Sequence, residues 1–209
     1  PNPKAVTKGL QNLDRHLESI KKFGMKSVVS INRFSSDTEE ELQIVKDFVE
    51  SRGFESAIVD FWGKGGNGGL ELAQKVDEML KQEVCTSRRL YDWNSSIEHK
   101  IYTIAKEIYG AEKIDFTADA KTDLSLIEKL GYDNLPVCIA KTQKSLSDNP
   151  KLIGRPKDFL VTVRSILIAS GAGFIIPITG DILRMPGLPK KPSAELIDVD
   201  ENGNITGLF

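Results

Sequence analysis

Apolar residues return along the first twenty positions at Val6, Leu10, Leu13, Leu17 and Ile20, one helical face by their spacing. Gly24 follows, a residue type suited to ending a helix. Ser27–Ile31 is a β-branched run that predicts a buried strand. Ser36 and Asp37 then precede Glu39 and Glu40, a side-chain acceptor ahead of acids that predicts a helix N-terminus. Leu42, Val45, Phe48 and Val49 give that helix an inward stripe, and Gly53 is placed to stop it. Ala57–Phe61 predicts the next strand, a glycine run follows, and Leu72, Val76 and Met79 mark a third helix.

Helix, strand, helix, strand, loop and helix joined by short connections are the grammar of a parallel α/β sheet. Such sheets receive ligands beyond the carboxyl ends of their strands. Phe34 and Trp62 each fall a few residues past such an end. Residues 83–95 lack a clean period and read as a crossing to a second unit. There Ile97, Ile101, Ile104 and Ile108 predict a helix closed by Gly110, and Lys121–Leu130 a shorter one closed by Gly131. The pattern then turns mainly extended through LPVCIAK, FLVTVRSILIAS and GFIIPITG, and Asn202-Gly203 predicts a tight turn between two short strands. The expectation is an α/β protein: a parallel-sheet α/β N-terminal part over residues 1–90, then a smaller mixed α+β part with an extended tail over 91–209.

Composition changes this picture little. Forty per cent hydrophobic and 28% charged residues in 209 are ordinary for a folded domain or two small ones. The net charge of −2 gives no electrostatic reason to expect nucleic acid or an anionic membrane. Residues 166–180 are the most apolar stretch, but they are short for a spanning helix and broken by glycine and proline, so they read as strands and a turn. Cys85 and Cys138 form no CxxC, and His16 and His99 are the only histidines, which suits a reducing compartment and leaves no histidine-rich metal site. The chain opens on Pro1 with an amphipathic pattern beginning almost at once, and is expected to be a piece of something longer.

The candidate chemistry favours binding over covalent catalysis. Neither cysteine stands in a recognisable Cys–His signature, no GxSxG occurs, and the carboxylates are unpaired by spacing. The run GKGGNGG at residues 63–69 is not a Walker loop, because Lys64 is followed by Gly65. It serves either as a strand-to-helix turn or as a place where backbone N–H groups approach a ligand. Phe34 and Trp62 either pack inward or form the two jaws of a slot for a flat ring. Lys141, Lys144, Lys151, Arg155 and Lys157 belong either to a solvated loop or to an oxyanion site. SGAGF at residues 170–174 reads as a structural corner.

INRFSSDTEEE, DFWGKGGNGGLELA, DLSLIEKLGYDNLPVCIAKTQKSLSDNPKLIGRPKDF, SGAGFIIPITGDILRMPGLPKKP and the closing ITGLF together resemble the formate–tetrahydrofolate ligase family, in colinear order along the whole chain. The resemblance implies an ATP-dependent ligation. Formate becomes formyl phosphate, and the formyl group passes to N10 of tetrahydrofolate. It implies that Phe34 and Trp62 sandwich the pterin, and that Arg155 and Pro156 lie toward the nucleotide. It also implies Mg2+ with ATP, a monovalent cation, a homo-tetrameric full-length enzyme and a cytoplasmic setting, with neither nucleic acid nor membrane as partner. Gly63 and Lys144 depart from the family pattern, where Ala and an aromatic are expected. The family's phosphate-binding loop and formate-binding arginine correspond to nothing in this chain, which is expected to be inactive alone. Two rivals stay open: a folate- or nucleotide-binding module without turnover, and an oligomerisation fragment.

Overall fold

The computed structural model describes residues 1–82, 87–180, 182 and 189–207. Cys85, part of MPGLPKKP and the final two residues of ITGLF lie outside the described residues.

Helix α1 spans Pro3–Lys22. Its start is set by Asn2, whose side chain accepts from Ala5 N–H at 3.1 Å, with a proline in the first turn where no N–H is needed. Strand β1 is Val28–Asn32, one residue later than the β-branched run predicts. Helix α2, Glu39–Ser51, is capped by Thr38 and not by Ser36 or Asp37. In the SSDTEEE stretch several registers offer a side-chain acceptor ahead of an acid. Only Thr38 closes both halves of the capping box: its hydroxyl accepts from Glu41 N–H (3.3 Å) while the Glu41 carboxylate accepts from Thr38 N–H (3.1 Å).

Strand β2 is Glu55–Val59, so Phe61 lies beyond it. The strands pair in parallel from Val28 opposite Glu55 to Asn32 opposite Val59, with α2 as the crossover. After β2 the chain makes a short helix α3, Phe61–Lys64, and a 3-10 segment, Gly65–Gly69, before α4 at Leu70–Lys81. The expected glycine loop is thus two tight helical turns. Buried Leu42, Val49, Ala57 and Val59 form the packed interior of this part.

The second part is built on a three-stranded sheet. Helix α5 (Ile97–Ile104) continues as a π-helical turn, Ala105–Tyr109, and stops at left-handed Gly110. Strand β3 (Lys113–Phe116), absent from the sequence-based expectation, pairs in parallel with β4 (Leu160–Ala169), and β4 pairs antiparallel with β5 (Phe174–Thr179). Helix α6 (Ala118–Lys129) lies between β3 and β4 in sequence. LPVCIAK is not a continuous strand, but it lies parallel beside β5: Cys138 and Ala140 N–H donate to Ile175 O (2.8 Å) and Pro177 O (2.9 Å), and Ile175 and Thr179 N–H donate back to Pro136 O and Ala140 O (2.9 Å each). Ile101, Ile127, Val163 and Ile175 lie at the centre of the apolar core. The SGAGF corner and Asn202-Gly203 are the expected hairpin turns, the latter joining β6 (Asp198–Val199) to β7 (Ile205–Thr206). Among the described residues no helix is long and apolar enough to cross a membrane.

Lys100 is fully buried in this core, its ammonium donating to the carbonyls of Asp133 (2.6 Å) and Leu135 (3.0 Å). Burial lowers its pKa, against the weaker pull of Asp133 and Asp92. The two sheets meet through α1. Buried Arg15 donates to the carbonyls of Ile108 (2.8 Å), Glu107 (2.8 Å) and Lys106 (3.0 Å), which close the helix after α5.

Candidate functional site

Parallel pairing brings the ends of β1 and β2 side by side, and Arg33 N–H donates to Val59 O at 2.9 Å just where both strands stop. The two following loops part there around an open cleft of about 770 Å³, lined by residues 32–35 and 37 on one side and 60–63 on the other. Topology therefore delivers Phe34 and Trp62 to one cavity.

Neither ring packs inward. Phe34 is 63% exposed and Trp62 95% exposed, with Phe61 beside them at 51%. Three large aromatic side chains thus stay open to solvent around one cleft, an arrangement that costs apolar exposure. Of the two readings left open for this pair, core packing is the one the geometry rejects.

Each loop is braced from below. Asp37 accepts from Phe34 N–H at 2.8 Å and returns its own N–H to Phe34 O at 3.1 Å. Asp60 caps α3 by accepting from Gly63 N–H at 2.8 Å, receives Lys64 N–H on its carbonyl at 3.0 Å, and donates its N–H to Gly68 O at 3.1 Å. Arg33 pairs with Glu39, and that contact, followed by the charges of Asp60 and Asp37, raises its pKa further, so the cleft floor carries both signs.

The glycine run owes its composition to this bracing. A Cβ on Gly68 falls 2.0 Å from Asp60 O, and one on Gly69 falls 2.3 Å from the Phe61 ring. Gly68 therefore admits no side chain against that backbone carbonyl, whereas one at Gly69 would have to displace the Phe61 ring. At Gly63 a Cβ falls 2.7 Å from the Asp60 carboxylate. Sequence inspection places Phe34 and Trp62 past the strand ends, but it reads Asp37 as a helix-start residue and Phe61 as strand, and gives Asp60 no role. The signal available for Asp60 was an Asp directly after a strand and three residues before a glycine.

The basic segment does not join this cleft. Arg155 pairs with Asp14 (2.8 Å) and Glu18 (2.6 Å) on α1, and its N–H reaches Gln11 at 3.4 Å, which ties the Gly154–Pro156 turn to that helix. Lys141 donates to the carbonyls of Thr142 (2.8 Å) and Ser145 and lies 5.1 Å from the Tyr109 ring. Burial lowers the Lys141 pKa. Burial, then the charge of Cys138, pushes Tyr109 up to about 12. Lys144, Lys151 and Lys157 are exposed. Among the described residues no group of three or more His, Cys, Asp or Glu side chains is placed to hold a metal ion.

A parallel β–α–β unit with an open aromatic cleft at its carboxyl end, followed by a mixed sheet, defines a mixed α/β protein. The family model described as formate–tetrahydrofolate ligase matches residues 1–209. A formate–tetrahydrofolate ligase of Syntrophus aciditrophicus (strain SB) is 56% identical over 207 residues, which cover 99% of this chain and 37% of that protein. The chain belongs to the formate–tetrahydrofolate ligase family, and it spans little more than a third of that relative's length.

Proposed function

We propose that this chain is the pterin-holding portion of an ATP-dependent ligase that joins formate to tetrahydrofolate. The observation that carries the reading is the pair of exposed rings, Phe34 and Trp62, on opposite loops of one cleft. A flat heterocycle laid between them gains about 0.5–1.5 kcal/mol per stacking contact beyond burial, and is oriented at little entropic cost.

In the whole enzyme a formate oxygen attacks the terminal phosphorus of ATP, ADP leaves, and formyl phosphate forms. N10 of tetrahydrofolate then attacks the formyl carbon, the C–O bond to phosphate breaks, and N10 gives up its proton. The contribution of this chain is orientation: it sets N10 toward the activated formyl group. On this reading the isolated chain, which spans 37% of the matched relative, is inactive alone. A nucleotide contact from Arg155 and Pro156 belongs to the same reading, and requires Arg155 to exchange or share its partners Asp14 and Glu18. The two-part division near residue 90, a tetrameric parent enzyme and a cytoplasmic setting belong to it as well.

Equilibrium dialysis of the chain against tetrahydrofolate tests the slot. Trp62→Ala and Phe34→Ala should each weaken binding roughly 2- to 12-fold, the loss of one stacking contact. In the intact enzyme Trp62→Ala should raise the folate KM and leave the ATP KM nearly unchanged. Wild-type affinity in both variants would remove the assignment.

A further inference from the structure

Trp62 is 95% exposed, so no packed neighbour dictates where its ring points. Its direction is inherited from the backbone of α3, and a helix of four residues holds too few internal hydrogen bonds to persist alone. What closes that turn is Asp60, through its carboxylate to Gly63, its carbonyl to Lys64 and its N–H to Gly68. The opposite jaw repeats the device: Asp37 binds both backbone groups of Phe34. One aspartate thus stands under each ring, and neither is used by the ligation chemistry.

We propose that Asp60 and Asp37 are positioning residues that set the separation and tilt of the two aromatic jaws, acting on affinity through the backbone and not by touching the ring. The inference rests on the pterin reading of the cleft. It makes a distinction that a purely electrostatic role does not. Asparagine accepts the same N–H bonds and is as good an N-cap as aspartate, whereas alanine accepts none. The cap is therefore kept in Asp→Asn and lost in Asp→Ala, while the charge is lost in both.

The test uses the full chain with Trp93→Phe, which leaves Trp62 as the single tryptophan of the two present. Tetrahydrofolate is titrated while Trp62 fluorescence is followed, and far-UV circular dichroism checks each variant's fold. Asp60→Ala and Asp37→Ala are expected to raise the Kd about fivefold, the size of a lost N-cap at Asp60 and of a lost side-chain-to-backbone hydrogen bond at Asp37, and Asp60→Asn and Asp37→Asn to stay within about twofold. Without ligand, Trp62 anisotropy should fall in Asp60→Ala and hold in Asp60→Asn, a readout that survives any loss of binding. Equal damage by Asn and Ala overturns the proposal in favour of charge, and wild-type behaviour of both Ala variants overturns it outright. A parent chain that shows no saturable response sinks the pterin reading itself, and the proposal with it. Wild-type binding with indifferent Asp variants removes only the proposal.

Discussion

Arg15 offers the sharpest test of how the two sheets are held together. Its guanidinium is buried and satisfies three carbonyls in succession, those of Lys106, Glu107 and Ile108, where the π-helical turn ends. Arg15→Met keeps most of the aliphatic stem and removes every donor. Each carbonyl left buried without a partner costs about 1–3 kcal/mol. Lys106 O still accepts from Gly110 N–H at 3.1 Å and Glu107 O from the Lys22 ammonium at 2.8 Å, so Ile108 O is the one that loses its donor and the loss comes to about 1–3 kcal/mol. For a chain of this size each kcal/mol lowers Tm by about 2–4 °C, which predicts a fall of about 2–12 °C. Urea unfolding followed by far-UV circular dichroism should show a lower midpoint at unchanged slope. Arg15→Lys, with one ammonium in place of a planar fork, should fall between the two. A stability within about 0.5 kcal/mol of wild type would show that these carbonyls are not held by Arg15 and refute the account of the junction.

Two further perturbations test local claims. Gly68→Ala places a Cβ 2.0 Å from a backbone oxygen that has no side-chain freedom to move, so it should destabilise the chain by about 1–3 kcal/mol and weaken tetrahydrofolate binding, read by thermal unfolding and dialysis; a silent substitution would mean that the glycine run is an open loop. Burial raises the folded Tyr109 pKa to about 12, above the unfolded value of about 10. Between these two the folded state binds the extra proton, so stability is complete below about pH 10 and is lost as pH rises through the window. Urea titrations at stepped alkaline pH should show that decline, and Tyr109→Phe should flatten it; an identical slope in both chains would contradict the burial of the phenol.

The elements with strong periodicity were readable because their own residues carry the signal: the stripe from Val6 to Ile20, the Ile97–Ile108 repeat and the β-branched cores of β1 and β2. Placement of Phe34 and Trp62 at one cleft was readable for a different reason, since parallel topology fixes which strand ends are neighbours. What was hidden depended on distant partners. Strand β3 is four residues, two of them charged, and becomes a strand only by lying against β4. LPVCIAK, extended by composition, does bond along β5 from Pro136 to Ala140, though without closing a regular ladder. The α2 cap lay among competing acceptors, and Phe61 looked like strand until Asp60 proved to cap a turn. The partners of Arg15 stand more than ninety positions away, beyond any local pattern.

The slot itself is tested most directly by a crystal structure of the chain soaked with tetrahydrofolate. The account predicts the bicyclic ring lying flat between Phe34 and Trp62, with the braces at Asp37 and Asp60 unchanged. A pterin bound elsewhere, or a cleft that stays empty while ligand occupies another surface, would contradict it.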